Sequence, residues 1–326
     1  MQATASLWVG NRGTIKDYPG FNAGHDADVL RKAMKGLGTD EKQVISVLTS
    51  RTSAQRQLIA KEYRSACGKD LKDDLKGDLS GNFEHLMVSL VMPPAVFDAK
   101  QIKKCIKGSG TNEHALTEIM ASRSAKQMKE ISQAYYTAYG RSLGDDLSSD
   151  TSGDFRKALL NLANARRDES GKVDGQLAKK DAQSLYDAGE KKWGTDEDQF
   201  IEILCTRNVQ QLKLMFEEYR NISKKTIEES IDSEMGGHLE DLLLAIVKCV
   251  KNTPAFFAER LHKAMKNAGT DEFTLTRIMV CRSEIDLLDI RAEFKKLTGY
   301  SLYSAIKSDT TGDYEAALLK ICGGED

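Results

Sequence analysis

Four acidic residues of this chain stand at the same distance from four similar glycine-containing turns. The turns are MKGLGTDE at 34–41, IKGSGTNE at 106–113, KWGTDE at 192–197 and MKNAGTDE at 265–272. Counting forty residues on from the last glycine of each turn leads to an acid, and the four acids are Asp78, Asp150, Glu234 and Asp309. Backbone carbonyls exposed by a glycine-rich turn, together with one carboxylate, are oxygen ligands of the kind that calcium prefers. The pattern therefore indicates four calcium sites.

Each site of this kind leaves part of the calcium coordination open. Calcium takes about six to eight oxygens, and three carbonyls with one bidentate carboxylate supply about five of them. The other positions are available to water or to a phosphate oxygen, so the site should be weak alone and stronger with an anionic ligand. A single turn could equally be a glycine that ends one helix and a Thr-Asp pair that begins the next. That explanation does not account for the acid forty residues later.

Other motifs for phosphate or metal chemistry are missing from the sequence. It contains no GxxxxGK[ST] loop and no EF-hand loop, and the glycine pattern lacks the third glycine and the preceding strand of GxGxxG. The five histidines form no HExxH pair and do not recur between the copies. The six cysteines show neither zinc spacing nor a disulfide framework, which is typical of a protein in a reducing compartment.

The turns lie between segments with helical periodicity. Apolar residues recur at i, i+3 and i+4 after every turn, so each set shares one helical face. The sets are Val44, Val47 and Leu48, then Leu116, Ile119 and Met120, then Phe200, Ile203 and Leu204, then Leu275, Ile278 and Met279. The breaks between periodic segments predict about five helices per repeat. No segment alternates like a strand, so we predict an all-α protein of four repeats.

The spacing of the turns predicts how the repeats are grouped. It is widest between the second and third turns, where residues 164–180 are charged and contain Gly171 and Gly175, as a solvated linker does. We therefore expect two halves of two repeats each. Residues 1–25 are aperiodic and predict a short tail, with Trp8 as its bulky anchor.

The composition narrows the classes of partner. Lysine and arginine number 47 against 49 acidic residues, for a formal net charge of -2, which argues against a nucleic acid partner. The first thirty residues contain no continuous apolar run, and no stretch of eighteen apolar residues occurs anywhere. Neither a signal peptide nor a membrane-spanning helix is expected. Calcium would have to supply positive charge for any binding to an anionic surface.

The four-fold pattern resembles the annexin family from about residue 22 to residue 322. Part of the resemblance is an arginine thirteen residues after each turn glycine, at Arg51, Arg123, Arg207 and Arg282. We expect these arginines to pair with helix-end carbonyls or nearby acids. The resemblance implies a slightly curved disc of four five-helix repeats, with the calcium turns on its convex side and the tail on its concave side. The implied segments are a tail at 1–21, repeats at 22–94 and 95–166, a linker with the third repeat at 167–253, and the fourth repeat with the C-terminus at 254–326.

The resemblance also assigns the ligands of each site. It implies the carbonyls of Met34, Gly36 and Gly38 with Asp78, those of Ile106, Gly108 and Gly110 with Asp150, those of Gly189, Lys192 and Gly194 with Glu234, and those of Met265, Asn267 and Gly269 with Asp309. Asn267 stands where the family usually has glycine, and we keep this site because asparagine tolerates the left-handed backbone better than most residues. A weaker secondary ion is implied near the Thr39 carbonyl and the Glu41 carboxylate.

The function implied by the resemblance is reversible, calcium-dependent binding to acidic, phosphatidylserine-like phospholipid membranes. Trp193 would lie at the membrane interface, and the bound protein would inhibit phospholipase A2 by covering its lipid substrate. The resemblance implies a non-enzymatic, cytoplasmic protein that becomes peripheral on membranes when calcium rises. It implies no nucleic acid partner. The protein would be monomeric in solution and able to assemble on the bilayer. Two alternatives stay open, a metal-assisted phosphohydrolase acting on a lipid headgroup and a calcium-independent helical scaffold.

Overall fold

The computed structural model describes residues 8–190 and 193–326. These residues form nineteen α-helices and no strand. The helices are α1 Ala23–Ala33, α2 Glu41–Leu48, α3 Ser53–Cys67, α4 Leu71–Asp78, α5 Gly81–Val91, α6 Pro94–Ile106, α7 Glu113–Ser122, α8 Ala125–Tyr139, α9 Leu143–Asp150, α10 Gly153–Ala163, α11 Gly175–Ala188, α12 Glu197–Thr206, α13 Val209–Ser223, α14 Ile227–Glu234, α15 Gly237–Lys266, α16 Glu272–Arg282, α17 Leu287–Thr298, α18 Leu302–Asp309 and α19 Gly312–Cys322. The prediction of an all-α fold is confirmed.

Five helical segments per repeat are also confirmed. The long α15 contains two of these segments, because Asn252 leaves the helical region at φ -162° and ψ 89°, two residues before Pro254. The fifth helix of repeat 3 and the first helix of repeat 4 therefore meet at this bend. The apolar sets predicted after each turn are all buried, and Val44, Leu116, Phe200 and Leu275 have no exposed surface.

Local sequence signals set the helix boundaries. Thr52, Ser124 and Thr226 each begin a helix with a reciprocal capping box. The third helix of every repeat ends on a left-handed residue thirty positions after the turn glycine, at Gly68, Gly140, Lys224 and Gly299. Glycine favours that conformation, and in repeat 3 Lys224 adopts it with φ 62°. These reversals turn the chain back toward the start of its own repeat.

Ion pairs join the first helix to the connection between the second and third helices in three repeats. In each pair the arginine thirteen residues after the turn glycine donates to an aspartate on the first helix. The pairs are Arg51 with Asp26, Arg123 with Asp98 and Arg207 with Asp181, at Nε to Oδ2 distances of 2.8, 2.8 and 2.7 Å. Repeat 4 has Phe257 at the aspartate position, and Arg282 instead stacks 4.6 Å over the Phe257 ring and pairs with Asp286 at 2.8 Å. The expected pairing of the arginines with nearby acids is confirmed.

The chain divides into two compact units, but not at the long linker. Unit 1 consists of the described residues up to Phe97 together with Phe257–Asp326, and unit 2 is Asp98–Phe256. Repeats 1 and 4 therefore share one unit, and repeats 2 and 3 share the other. The expectation that the linker would separate the two halves is wrong. The linker is instead bound to repeat 3, because Asp168 N–H donates to the Thr206 carbonyl at 2.8 Å and Arg167 Nη1 donates to the Leu204 carbonyl at 2.8 Å.

The described part of the tail is bound within unit 1. Gly10 N–H donates to the Glu284 carbonyl at 2.9 Å, and Thr14 N–H donates to the Ser283 carbonyl at 2.7 Å. A Cβ atom on Gly13 would lie 2.5 Å from the Ser283 carbonyl oxygen, so only glycine allows this close approach. The tail is therefore held against residues 283–285 by backbone hydrogen bonds from Gly10 onward.

Candidate calcium sites

All four turns are closed by the same backbone hydrogen bond. The residue before the second helix donates its N–H to a carbonyl near the end of the first helix, at 2.8–2.9 Å. The bonds run from Asp40 to Ala33, from Asn112 to Cys105, from Asp196 to Ala188 and from Asp271 to Ala264. The third turn has one residue more than the others between its ends.

Left-handed glycines shape these turns, with two exceptions. Gly36, Gly38, Gly108, Gly194 and Gly269 have φ values between 86° and 111°. Such values turn successive carbonyls away from the helix path and are accessible to glycine without steric cost. Gly110 and Asn267 do not have positive φ. The reason we gave for keeping Asn267 is therefore wrong, because the fourth turn does not use a left-handed residue at that position.

The acid of each repeat is the last residue of an eight-residue helix. Asp78, Asp150, Glu234 and Asp309 end α4, α9, α14 and α18. Three residues later the next helix begins with a left-handed glycine, at Gly81, Gly153, Gly237 and Gly312, with φ values of 63–67°. Asp78 and Asp150 are exposed, whereas Glu234 and Asp309 are half-buried. The repeated helix end presents one carboxylate per repeat with at least part of its surface open to solvent.

Hydrogen bonds bring the turn and the distant acid together in three repeats. The threonine that follows the last turn glycine donates its hydroxyl to the backbone carbonyl of the acid, from Thr111 to Asp150 at 3.2 Å, from Thr195 to Glu234 at 3.2 Å and from Thr270 to Asp309 at 3.1 Å. In repeats 3 and 4 the hydroxyl also lies within reach of the carboxylate, at 3.0 Å from Glu234 Oε2 and 2.8 Å from Asp309 Oδ2.

This positioning threonine was missed by sequence reasoning, although it follows the glycine in all four turns. Only the carbonyl of Thr39 had been considered. Within the described residues, Thr39 and Asp78 form no such bond. Asp78 instead lines a polar cavity of ≈400 Å³ in unit 1, together with Glu41, Glu272 and Asp309. The acids of the first and fourth sites therefore line one cavity, together with the glutamate that stands two residues after each turn threonine.

In unit 2, basic side chains lie beside acids at or near the corresponding positions. His238 Nε2 lies 3.6 Å from Glu113 Oε1, and Lys157 Nζ lies 3.2 Å from carboxylate oxygens of both Asp154 and Asp198. Hydrogen bonds to these two aspartates raise the pKa of Lys157. Lys157 therefore already accompanies acids near the second and third turns, whereas among the described residues no lysine, arginine or histidine lines the polar cavity of unit 1.

The third turn contains the exposed ring of Trp193, and residues 191 and 192 of this turn lie outside the described residues. Trp193 is 104% exposed, as expected for a residue at a membrane interface. Gly189 caps the C-terminus of α11 and is buried, and its N–H donates to the Leu185 carbonyl at 3.0 Å. Lys192, the other predicted carbonyl ligand before Gly194, lies outside the described residues. In the first turn Leu37 occupies the same position relative to the glycine and is 109% exposed, a second apolar tip that we did not predict.

The donor set fits calcium better than a transition metal. Each candidate site offers one carboxylate and otherwise backbone oxygens, and the described residues contain no group of three or more histidine, cysteine, aspartate or glutamate side chains that could hold a metal ion. Hard cations are bound by oxygen donors of this kind, whereas zinc prefers imidazole and thiolate.

In the described part of the chain, no helix is both long enough and apolar enough to span a bilayer.

Comparisons with known proteins agree with the geometry. The family model described as annexin matches residues 25–90, 97–162, 180–246 and 256–321. Annexin A3 of Bos taurus is 73% identical over 322 residues, which cover 99% of this chain and 100% of the relative.

Solved structures give the same result. The structure of annexin III has a TM-score of 0.98 at 71% identity and covers 99% of this chain and 100% of its own. Calcium-bound annexin (Sm)1 has a TM-score of 0.88 at 35% identity, with 98% and 96% covered. Because the family model matches four segments and the relatives match over their full length, the chain belongs to the annexin family.

Proposed function

We propose that this protein binds acidic phospholipid membranes through calcium ions held at its four turns. The observation that carries the proposal is the hydrogen bond from the turn threonine to the backbone carbonyl of the distant acid in repeats 2, 3 and 4, which supports a common site for turn and acid. The proposed ligand sets are Met34, Gly36, Gly38 and Asp78; Ile106, Gly108, Gly110 and Asp150; Gly189, Lys192, Gly194 and Glu234; and Met265, Asn267, Gly269 and Asp309. A secondary ion at Thr39 and Glu41 is part of the proposal.

Bound calcium would allow a negatively charged protein surface to bind an anionic lipid at these turns. The chain has a formal net charge of -2, and five acidic residues line the polar cavity of unit 1, so the bare surface offers little attraction for anionic lipid. A bound divalent cation reverses the local charge and keeps positions open for phosphate oxygens. Annexins are known for calcium-dependent phospholipid binding, and one similar structure is that of a calcium-bound annexin. Four weak sites act together by avidity.

Vesicle sedimentation tests this function directly. We expect vesicles containing phosphatidylserine to sediment the protein in the presence of calcium and to release it when a chelator is added. Vesicles of phosphatidylcholine alone serve as the control for nonspecific adsorption. Sedimentation that persists in chelator would refute calcium bridging, and an absence of calcium binding even with lipid present would favour the calcium-independent scaffold.

The exposed ring of Trp193 provides a local measure of membrane contact. Trp8 and Trp193 are the two tryptophans of the chain, so Trp8→Phe leaves Trp193 as the sole indole fluorophore. We expect its emission to shift to shorter wavelength when phosphatidylserine vesicles and calcium are added, because the ring moves from water to the lipid interface. The same titration with chelator is the control. An unchanged spectrum on fully bound protein would place Trp193 away from the lipid.

The proposed activity is binding and not catalysis. The four candidate sites are near-equivalent and each contributes one carboxylate, an arrangement that suits adhesion better than a single reaction centre. Coverage of phosphatidylserine-like lipid would inhibit phospholipase A2 by hiding its substrate, and such inhibition should disappear when excess vesicles are added at constant protein. Headgroup phosphate release that depended on one repeat alone would instead support a phosphohydrolase.

The location that fits this function is the cytoplasm, with peripheral attachment to membranes when calcium rises. Six cysteines are present as free thiols, which is typical of a reducing compartment. We propose a monomer in solution and assembly of copies only on the bilayer, where the turns of neighbouring copies engage the same surface. Nucleic acid has no place in this function, since basic and acidic residues nearly balance.

A further inference from the structure

Unit 2 contains a cavity that the membrane function does not use. Its volume is ≈320 Å³, and its walls are the end of α7 with Ala121 and Ser122, the middle of α15 with Ile246 and Thr253, and the linker residues 167–169. We call it the linker cavity. It lies at the opposite end of α7 from the second turn, about 15 Å away for a ten-residue helix. Its volume and mainly apolar surface are those of a small-molecule site, which commonly measures about 300–1,000 Å³.

The internal repeat gives the linker cavity a counterpart in unit 1. Residues of repeats 2 and 3 line the linker cavity in unit 2. Residues of repeats 4 and 1 line a smaller cavity in unit 1 in the same arrangement. Five positions of the two linings are equivalent when residues are counted from the turn glycines, and one of them is occupied by Val209 in unit 2 and by Ser53 in unit 1. The other four pairs are Ala121 and Val280, Ser122 and Cys281, Val250 and Pro94, and Thr253 and Phe97.

The counterpart in unit 1 is occupied by the protein itself. Trp8 is part of its lining, and the remaining free volume is only ≈30 Å³. The tail holds Trp8 there through the hydrogen bonds that Gly10 and Thr14 donate to the Glu284 and Ser283 carbonyls. The chain therefore supplies an indole ring to this position in unit 1.

No equivalent ring fills the linker cavity. All the residues that line it belong to the described part of the chain, and none of them is aromatic. Thr253 and Ala121 are smaller than their counterparts Phe97 and Val280, which leaves more room in unit 2. The charged residues in the lining already have partners within the protein, since Arg123 pairs with Asp98 at 2.8 Å and Glu169 accepts from Ala125 N–H at 2.7 Å. The free surface thus favours an uncharged, apolar ligand.

We propose that the linker cavity binds an uncharged planar aromatic ring of about the size of indole, supplied by a small-molecule ligand. The ring takes the position in unit 2 that corresponds to that of Trp8 in unit 1. This site is separate from the calcium turns, so its occupation requires neither calcium nor lipid.

A titration of the full-length chain with 5-fluoroindole, followed by fluorine NMR, tests the proposal. We expect saturable binding of one equivalent. Thr253→Phe introduces the counterpart residue of unit 1 and should weaken the affinity at least tenfold by filling the cavity. Thr253→Val is the matched control, since it keeps the size of the side chain and removes only the hydroxyl that donates to the Cys249 carbonyl at 2.7 Å, and it should leave the affinity within about twofold of the wild type.

A second variant tests the equivalence of the two cavities independently. Trp8→Ala empties the counterpart in unit 1, so the stoichiometry should rise from one to two equivalents. The proposal is overturned if the wild type shows no saturable binding, if Thr253→Phe binds as tightly as Thr253→Val while both remain folded by circular dichroism, or if Trp8→Ala still binds one equivalent. The last result would mean that the probe had displaced Trp8 and had never entered the linker cavity.

Discussion

Replacing Asp78, Asp150, Glu234 and Asp309 together by alanine should abolish calcium-dependent sedimentation with phosphatidylserine vesicles. Each candidate site has a single carboxylate, so its removal leaves only neutral carbonyl ligands for the ion. Because the four sites act by avidity, loss of all of them should weaken vesicle binding by about 10²–10⁴-fold. The measurement is the calcium concentration needed for half-maximal sedimentation, which should move beyond the accessible range.

Charge alone predicts the opposite result, which makes this variant informative. Removing four carboxylates makes the protein more positive and should favour an anionic surface by general electrostatics. A control with the same change in charge replaces one acid on the third helix of each repeat, namely Glu62, Glu130, Glu218 and Glu293. We expect this control to bind vesicles as well as the wild type does. Equal loss of binding in both variants would show that the acids at the ends of α4, α9, α14 and α18 have no special role.

Asp98→Ala should destabilise the fold strongly. The side chains of Asp98 and Arg123 are 0% and 2% exposed, and both guanidinium contacts with Asp98 are at 2.8–3.0 Å. Alanine would leave a buried cation without its carboxylate, which typically costs about 3–5 kcal/mol. The free energy of unfolding in urea, followed by circular dichroism, measures the loss.

The equivalent pair in repeat 3 is the matched control for this variant. Arg207 is 29% exposed, so water can hydrate its guanidinium after Asp181→Ala. The loss of stability should therefore be clearly smaller than for Asp98→Ala. Similar losses in the two variants would show that the lost aspartate contacts, and not the buried charge, determine the cost.

The sequence predicted features that depend on short-range spacing. The apolar sets after each turn are buried because residues at i, i+3 and i+4 necessarily share a helical face. The helix ends near Gly68 and Gly140 were likewise predictable, since a left-handed residue at that point favours glycine. The equal distance from turn to acid gave the correct proximity in repeats 2 to 4, because four copies of one fold place equivalent residues in equivalent positions.

Features that depend on contacts between distant segments were harder to predict. Nothing in the spacing shows that repeat 1 packs with repeat 4, since a long linker at 164–180 is compatible with either grouping. The hydroxyl contact from Thr195 to Glu234 requires side-chain positions that residue types do not specify. Asn267 illustrates a third limit, because tolerance of a left-handed backbone is a preference and does not establish that the turn uses it.

Unit 1 is built from both ends of the chain, and this affects the order in which the two units can be completed during synthesis. Unit 2 is one continuous segment, Asp98–Phe256, and it is complete before any of residues 257–326 have been made. Repeat 1 leaves the ribosome first, but it must wait for residues 98–326, which at 5–20 residues per second takes roughly 10 to 45 s. The tail carbonyl partners at Ser283 and Glu284 arrive only in that interval. The first repeat synthesised is therefore among the last to be completed, and its apolar faces are the ones that nascent-chain chaperones would have to shield.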